Sequence, residues 1–133
     1  MRRLLMAAVL LLTPGCYDQE PNRGATVNGA YTLRTVNAAP LPFTSSGSGA
    51  NKTELLDDSY TLYEGLTYAE LGHVRTTVNG TATTTAFSGA GSYSLFGASV
   101  TLRPASGGSE RIATYTDNTL TLTESGKLSV YRK

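Results

Sequence analysis

From Gly29 onward, apolar residues recur at every second position in short runs broken by Gly, Asn, Asp and Pro. A period of two is that of a pleated strand with one buried face, whereas a helix repeats every three to four residues. The runs are GAYTLRTV (29–36), KTELLD (52–57), SYTLY (59–63), LTYAELGHVRTTV (66–78), TATTTAFSGAGSYSL (81–95), ASVTLR (98–103), ERIATY (110–115), TLTLT (119–123) and KLSVYRK (127–133), about nine strands. Their Thr, Tyr, Val and Leu suit a pleated, half-buried surface. Asn79-Gly80 is the strongest hairpin signal, because both central positions of a type I′ turn take positive φ. Gly89 and Gly91 predict a bend within the longest run. Residues 37–51 (NAAPLPFTSSGSGAN) break the pattern with two prolines and two glycines, and read as one long irregular connection.

Alternation also assigns faces. Val100 goes with Leu102, Leu120 with Leu122, Leu128 with Val130, Tyr60 with Leu62, and Phe87 with Tyr93 and Leu95, while Ser and Thr point the other way. One apolar face per strand implies one buried interior. Short turns make sequence neighbours antiparallel partners, and an open meander of this size would leave two adhesive edges. Closing the sheet removes both, so the last strand is expected to pair with the first. The expected fold is all-β: a small antiparallel up-and-down β-barrel over residues 29–133. A flattened, barrel-like sandwich is the alternative.

The segment before this domain carries a different message. Arg2 and Arg3 precede nine apolar residues, Leu4 to Leu12. Spanning a bilayer takes about 20 apolar residues, so this run suits the hydrophobic core of an export signal. Thr13-Pro14-Gly15 then leads to Cys16, the one cysteine of the chain. LLTPGC resembles the lipobox of bacterial lipoproteins, with Thr13 where that family usually has Leu. The resemblance implies a signal peptide over 1–15 and a Cys16 that carries a thioether-linked diacylglycerol, often with a further palmitate-type chain on its amino group. An ordinary secretory leader with a leftover thiol is the other reading. Two or more acyl chains are needed for stable anchoring. Residues 16–28 (CYDQEPNRGATVN) are polar, hold Pro21 and Gly24, and read as a lipidated tether. The expected location is the bacterial cell envelope. Tyr17 stands where Asp commonly marks inner-membrane retention in this family, which favours the outer membrane.

Composition narrows the partners. Removing residues 1–15 leaves 118 and takes two of the eleven basic residues, so nine Lys and Arg face ten Asp and Glu. With no basic surplus to neutralise phosphates, nucleic acid is not an expected partner. Without a second cysteine the domain must hold by packing and backbone pairing.

Gly29-Ala30-Tyr31 opens the domain and Arg132 nearly closes it. In this the chain is similar to the lipocalin-like domains of small bacterial lipoproteins, where Gly-x-Trp begins the first strand and a late Arg packs on the Trp. The resemblance implies a barrel closed by a Tyr31–Arg132 stack, with Tyr in place of Trp.

Catalytic chemistry is thin. His73 is the sole histidine, with no nucleophile motif near it, and reads as a surface or wall residue. Nothing has the spacing of a metal site, and no cofactor motif is present. Glu54, Asp57 and Asp58 form the densest acidic group, and read as solvated carboxylates at a strand end, with a weak cation site as the lesser alternative. SGAGSY (88–93) is similar to the Ser-Gly-x-x-Tyr motif of membrane-bound lysozyme inhibitors, but one extra residue sends Tyr93 to the face opposite Ser88. The expectation is therefore a non-enzymatic, membrane-anchored envelope lipoprotein. Its domain is structural or binds another envelope protein, with Leu41-Pro42-Phe43 as an apolar loop tip unless that tip plugs the barrel mouth. The alternative is a carrier or sensor of a small apolar ligand, lined by Tyr60, Leu62, Tyr68, Phe87, Tyr93, Val100 and Leu102.

Overall fold

The computed structural model describes residues 26–133; the expected signal peptide over 1–15, Cys16 and the expected tether up to residue 25 lie outside the described residues. Ten strands form one antiparallel sheet: β1 (Gly29–Val36), β2 (Ala39–Pro40), β3 (Phe43–Ser48), β4 (Asn51–Leu62), β5 (Thr67–Val78), β6 (Thr81–Phe96), β7 (Ser99–Pro104), β8 (Arg111–Thr116), β9 (Thr119–Glu124) and β10 (Lys127–Arg132). Eight of them close into a barrel, with β2 and β3 as additions. Closure runs from β4 through β1 to β10, where Thr32 pairs with Ser59 on one side and Arg132 on the other. The expected pairing of last strand with first is thus present.

The hairpins follow from turn chemistry. Asn79 and Gly80 sit at φ of 49° and 81°, and Ser125 and Gly126 at 49° and 74°, the twist that joins adjacent antiparallel strands without splaying them. The 37–51 region departs from expectation, for it contains β2 and β3. β1 pairs with β4 only from Gly29 to Thr32, which leaves the first half of β4 without that neighbour. β3 folds back to supply one, pairing Phe43 with Leu55 and Ser48 with Asn51. The two runs on either side of Asp57-Asp58 are a single strand, β4, whose register slips by a bulge between Leu55 and Asp57.

Up-and-down topology gives the barrel two ends. At the closed end lie the first described residues, the Tyr63–Leu66 connection and the Gly97-Ala98 and Asp117-Asn118 turns. Here Leu62, Val100, Leu102 and Leu120 are 1% exposed or less and fill the interior. Burying each such side chain contributes about 1.5–3 kcal/mol. Val27 is also buried, its carbonyl accepts a hydrogen bond from the Tyr31 hydroxyl, and Asn28 Oδ1 accepts one from Tyr93 at 2.6 Å. The domain therefore takes in residues 26–28, which the sequence assigned to the tether.

At the other end, β3, the first half of β4, the second half of β5 and the first half of β6 run on past the closed barrel as a four-stranded flap. β6 pairs with β7 only from Gly91 to Phe96, so Thr81 to Ser88 have β5 on one side and no strand on the other. β6 itself runs unbroken through Gly89 and Gly91. A Cβ on Gly91 would lie 2.0 Å from the Arg103 carbonyl oxygen, so that glycine permits the close approach of β7.

One face assignment is reversed. Ser129 lies opposite Leu122 and Tyr131 opposite Leu120, and opposed residues share a face. Tyr131 and Ser129 therefore point inward, while Leu128 is 43% exposed. The run LSVY offers apolar residues in both phases, and the register with β9 decides between them.

Candidate functional site: a charged layer beneath a cup

Above the apolar packing, four strands send polar side chains into the interior. Tyr60 of β4 and Glu70 of β5 are direct cross-strand partners. Arg111, the first residue of β8, reaches them from across the barrel: Nη1 donates to Glu70 Oε1 at 2.9 Å and Nη2 to Glu70 Oε2 at 2.8 Å. Nη1 also donates to the Tyr60 hydroxyl at 2.5 Å, and that hydroxyl donates to Glu70 Oε1 at 2.8 Å. The fork geometry of a guanidinium matches a carboxylate at both oxygens, which makes this a strong, oriented pair. Gly89 lies opposite Glu70, where a Cβ would come within 2.8 Å of Oε2. The hydrogen bonds to Glu70 push the Arg111 pKa up, so it stays charged, and burial pushes the Tyr60 hydroxyl up, so it stays neutral.

Asp58 sits one step along β4 from this pair, turned inward just past the bulge. It is 6% exposed. Tyr131 donates to its Oδ2 at 2.7 Å, while Oδ1 has no hydrogen-bond partner. Burial is the main cause of a pKa raised to about 6; the Tyr131 hydrogen bond opposes it, and the nearby Glu70 charge adds to it. The Tyr60 and Tyr131 rings meet edge to face, 5.2 Å apart, and lock the two hydroxyls in place.

These five residues form the floor of a cavity of about 250 Å³. Its walls are Val36, Phe43, Leu55, Phe87 and Leu122, and its rim carries Ser45, Glu124, Lys127 and Ser129. Gly72 faces Phe87, and a Cβ there would fall 2.3 Å from the ring, so the glycine lets the ring lie against the sheet. A second, more open groove of about 690 Å³ runs between β6 and the β7–β8 connection, and shares Glu70, Arg111 and Glu124 with the first. The Tyr68 hydroxyl, which lacks a hydrogen-bond partner, belongs to that side. The groove exists because β7 ends before it can cover the edge of β6. The cup, with its apolar walls and polar floor, is the better candidate for ligand binding.

Of the wall residues expected from sequence, Tyr60 and Phe87 line the cup and Tyr68 lines the groove. Leu62, Tyr93, Val100 and Leu102 are inward as expected, but they belong to the packed core at the closed end. Glu70, Arg111 and Tyr131 escaped the sequence reading, and Asp58, read there as solvated, is buried. The available signal was phase: Asp58 alternates with Tyr60, Glu70 with Tyr68, and Arg111 with Ala113, so each charge stands in an inward position.

Other sequence candidates separate in space. The acidic group is not a cluster at a strand end. Asp58 faces in, Asp57 contacts His73 at 2.8 Å on the outer wall, and Glu54 is clasped by Lys52 at 2.8 Å and Arg75 at 2.9 Å. The Lys52 hydrogen bond leads in holding the Glu54 carboxyl below its usual range. The Tyr31–Arg132 stack does not form, because Arg132 pairs with Thr32 and is exposed; Lys133 Nζ stands 5.5 Å from the Tyr31 ring centre instead. Ser88 is exposed and Tyr93 buried, on opposite faces. Leu41 and Phe43 are not a free tip, for both pack against the core and Phe43 narrows the cup mouth.

What results is a closed eight-stranded antiparallel β-barrel with a charged interior layer and a small cup. No protein-family model matches the chain, nor does any curated protein or any solved structure.

Proposed function

We propose that this is a lipid-anchored binding module of the bacterial envelope, held by an acylated Cys16 in the outer membrane, whose cup takes a compact ligand with an apolar body and a polar head. The observation that carries the reading is the unfilled cup of about 250 Å³ above a preorganised polar floor. That volume lies just below the roughly 300–1,000 Å³ usual for ligand clefts, which limits the ligand to a small molecule. Val36, Phe43, Leu55, Phe87 and Leu122 would cover its body, and Asp58, Tyr60 and Tyr131 would meet its head. The Glu70–Arg111 pair is already satisfied internally and serves to fix Tyr60.

The neutral dye N-phenyl-1-naphthylamine tests the cup. Saturable binding at one site and a raised melting temperature are expected, since a ligand of the folded state alone stabilises it. Phe87→Trp fills the space and should weaken binding about tenfold or more, a loss of about 1.4 kcal/mol. Equal binding by wild type and variant would place the dye elsewhere and end the reading. A second reading, a protein-interaction module, is favoured by the one-sided pairing of Thr81 to Ser88, since an unpaired strand edge can accept another strand. A cup that takes up no dye would favour it.

A further inference from the structure

Four large apolar side chains are exposed together at the closed end: Tyr63 (49%), Leu66 (50%), Leu95 (47%) and Phe96 (89%). The remaining exposed ones among the described residues are Leu71 and Val78, seven positions apart on β5, Ile112 on β8 and Leu128 on β10, single exposed side chains of a kind ordinary for a surface. The grouping at the closed end is built by hydrogen bonds. Tyr93 N donates to the Leu66 carbonyl at 2.8 Å, and the Tyr93 hydroxyl donates to the Tyr63 carbonyl at 2.8 Å and to Asn28 Oδ1 at 2.6 Å. One buried tyrosine thus ties the Tyr63–Leu66 connection, the end of β6 and the entering chain into one surface. Lys133 Nζ adds a bond to the Thr26 carbonyl at 2.7 Å.

The entering chain says what covers this surface. Thr26, the first described residue, leaves from the same end, and Cys16 lies only ten residues before it in sequence. Even fully extended, ten residues span at most about 36 Å. A lipid on Cys16 would hold this end nearest the bilayer and the cup mouth farthest from it.

We infer that the closed end docks on the membrane surface, with Phe96 and Leu66 inserted among the lipid head groups. The inference rests on the lipid-anchor reading above. Phe96 occupies a tight hairpin with Gly97, so its ring projects ahead of the barrel rather than folding back on it. Glu64 and Asp117 at this end offset Arg132 and Lys133, so insertion depends on apolar contact and is insensitive to salt, unlike attachment by basic residues. The consequence is orientation: the flap and the cup face away from the bilayer, open to ligand.

The chain has no tryptophan, so one introduced indole reports alone. Full-length lipidated protein carrying Phe96→Trp, or Val78→Trp at the tip of the flap, is reconstituted into vesicles of phosphatidylethanolamine and phosphatidylglycerol. Both positions are exposed, so neither change disturbs packing. The expected result is blue-shifted emission from the Phe96→Trp protein, quenched by about half or more when the acyl chains are brominated, as burial about 5–10 Å into the interface requires. Emission from Val78→Trp stays that of indole in water, and both results persist in high salt. If the protein floats with the vesicles but the indole at 96 remains in water, the docking is wrong and the anchor stands. If the protein does not float, the anchor and the docking fall together. Quenching at 78 rather than 96 reverses the orientation and also overturns the inference.

Discussion

Asp58 is where a single residue has the most consequence. Its pKa stands at about 6 in the fold, against an ordinary 3.8, because burial disfavours the charge. A raised carboxyl favours folding while protonated, so its contribution is full below about pH 4, fades as the pH rises to about 6, and is absent above. About two pH units correspond to about 3 kcal/mol. Asp58→Asn should therefore gain on the wild type by about 2–3 kcal/mol between pH 4 and pH 7 in urea unfolding, as the charge it removes is the one that costs. Glu54 titrates in both proteins and cancels in the difference. A gap that stays flat across this range would show that Asp58 keeps its water. Phase along β4 marks Asp58 as inward, but the sequence does not show that Tyr131, 73 positions away, supplies its hydrogen bond. Nor does it show that Arg111, 41 positions from Glu70, meets that residue across the interior.

Among the elements, the regular hairpins were the most legible, because each turn sequence carries its own backbone preference. Glycines inside strands were not. They read as bends, yet Gly91 serves the approach of β7, and its missing Cβ cannot be inferred without knowing what lies opposite. Gly91→Ala should cost about 1–3 kcal/mol in urea unfolding, since the obstacle is a backbone carbonyl that cannot move aside. Gly108→Ala is the matched control. Its nearest neighbour would be 3.8 Å away, and its effect should stay within about 1 kcal/mol. Equal effects would mean that β7 can shift. β3 escaped the sequence reading for a related reason: FTSSGS is exposed along almost its whole length, so it lacks the alternating apolar signal of a strand with a buried face.

At the scale of the whole molecule, the barrel and its flap differ in what holds them. The closed end has apolar side chains packed from every wall, whereas Thr81 to Ala86 are all exposed. Stability is not uniform in such a fold, and the parts with fewest buried contacts open first. Amide hydrogen exchange should be faster in residues 81–88 than in β9 by about two orders of magnitude or more. Uniform protection would show that the flap and barrel open as one unit. The flap is also the wall that carries Phe87, Leu55 and Phe43, so its opening would widen the cup.

The period of two, the turn residues and the cost of unpaired edges determined an all-strand chain that closes on itself, because these are local preferences and each strand carries them alone. Which face of β10 turns inward, which strand completes β4, and which charges meet in the interior were decided only in three dimensions. Register, bulges and pairs of residues far apart in sequence set those outcomes. The same division holds for the site. Tyr60 and Phe87 were visible as inward aromatics, but a cup arises only because residues of eight different strands surround a space that none of them fills, and no single stretch of sequence records that volume.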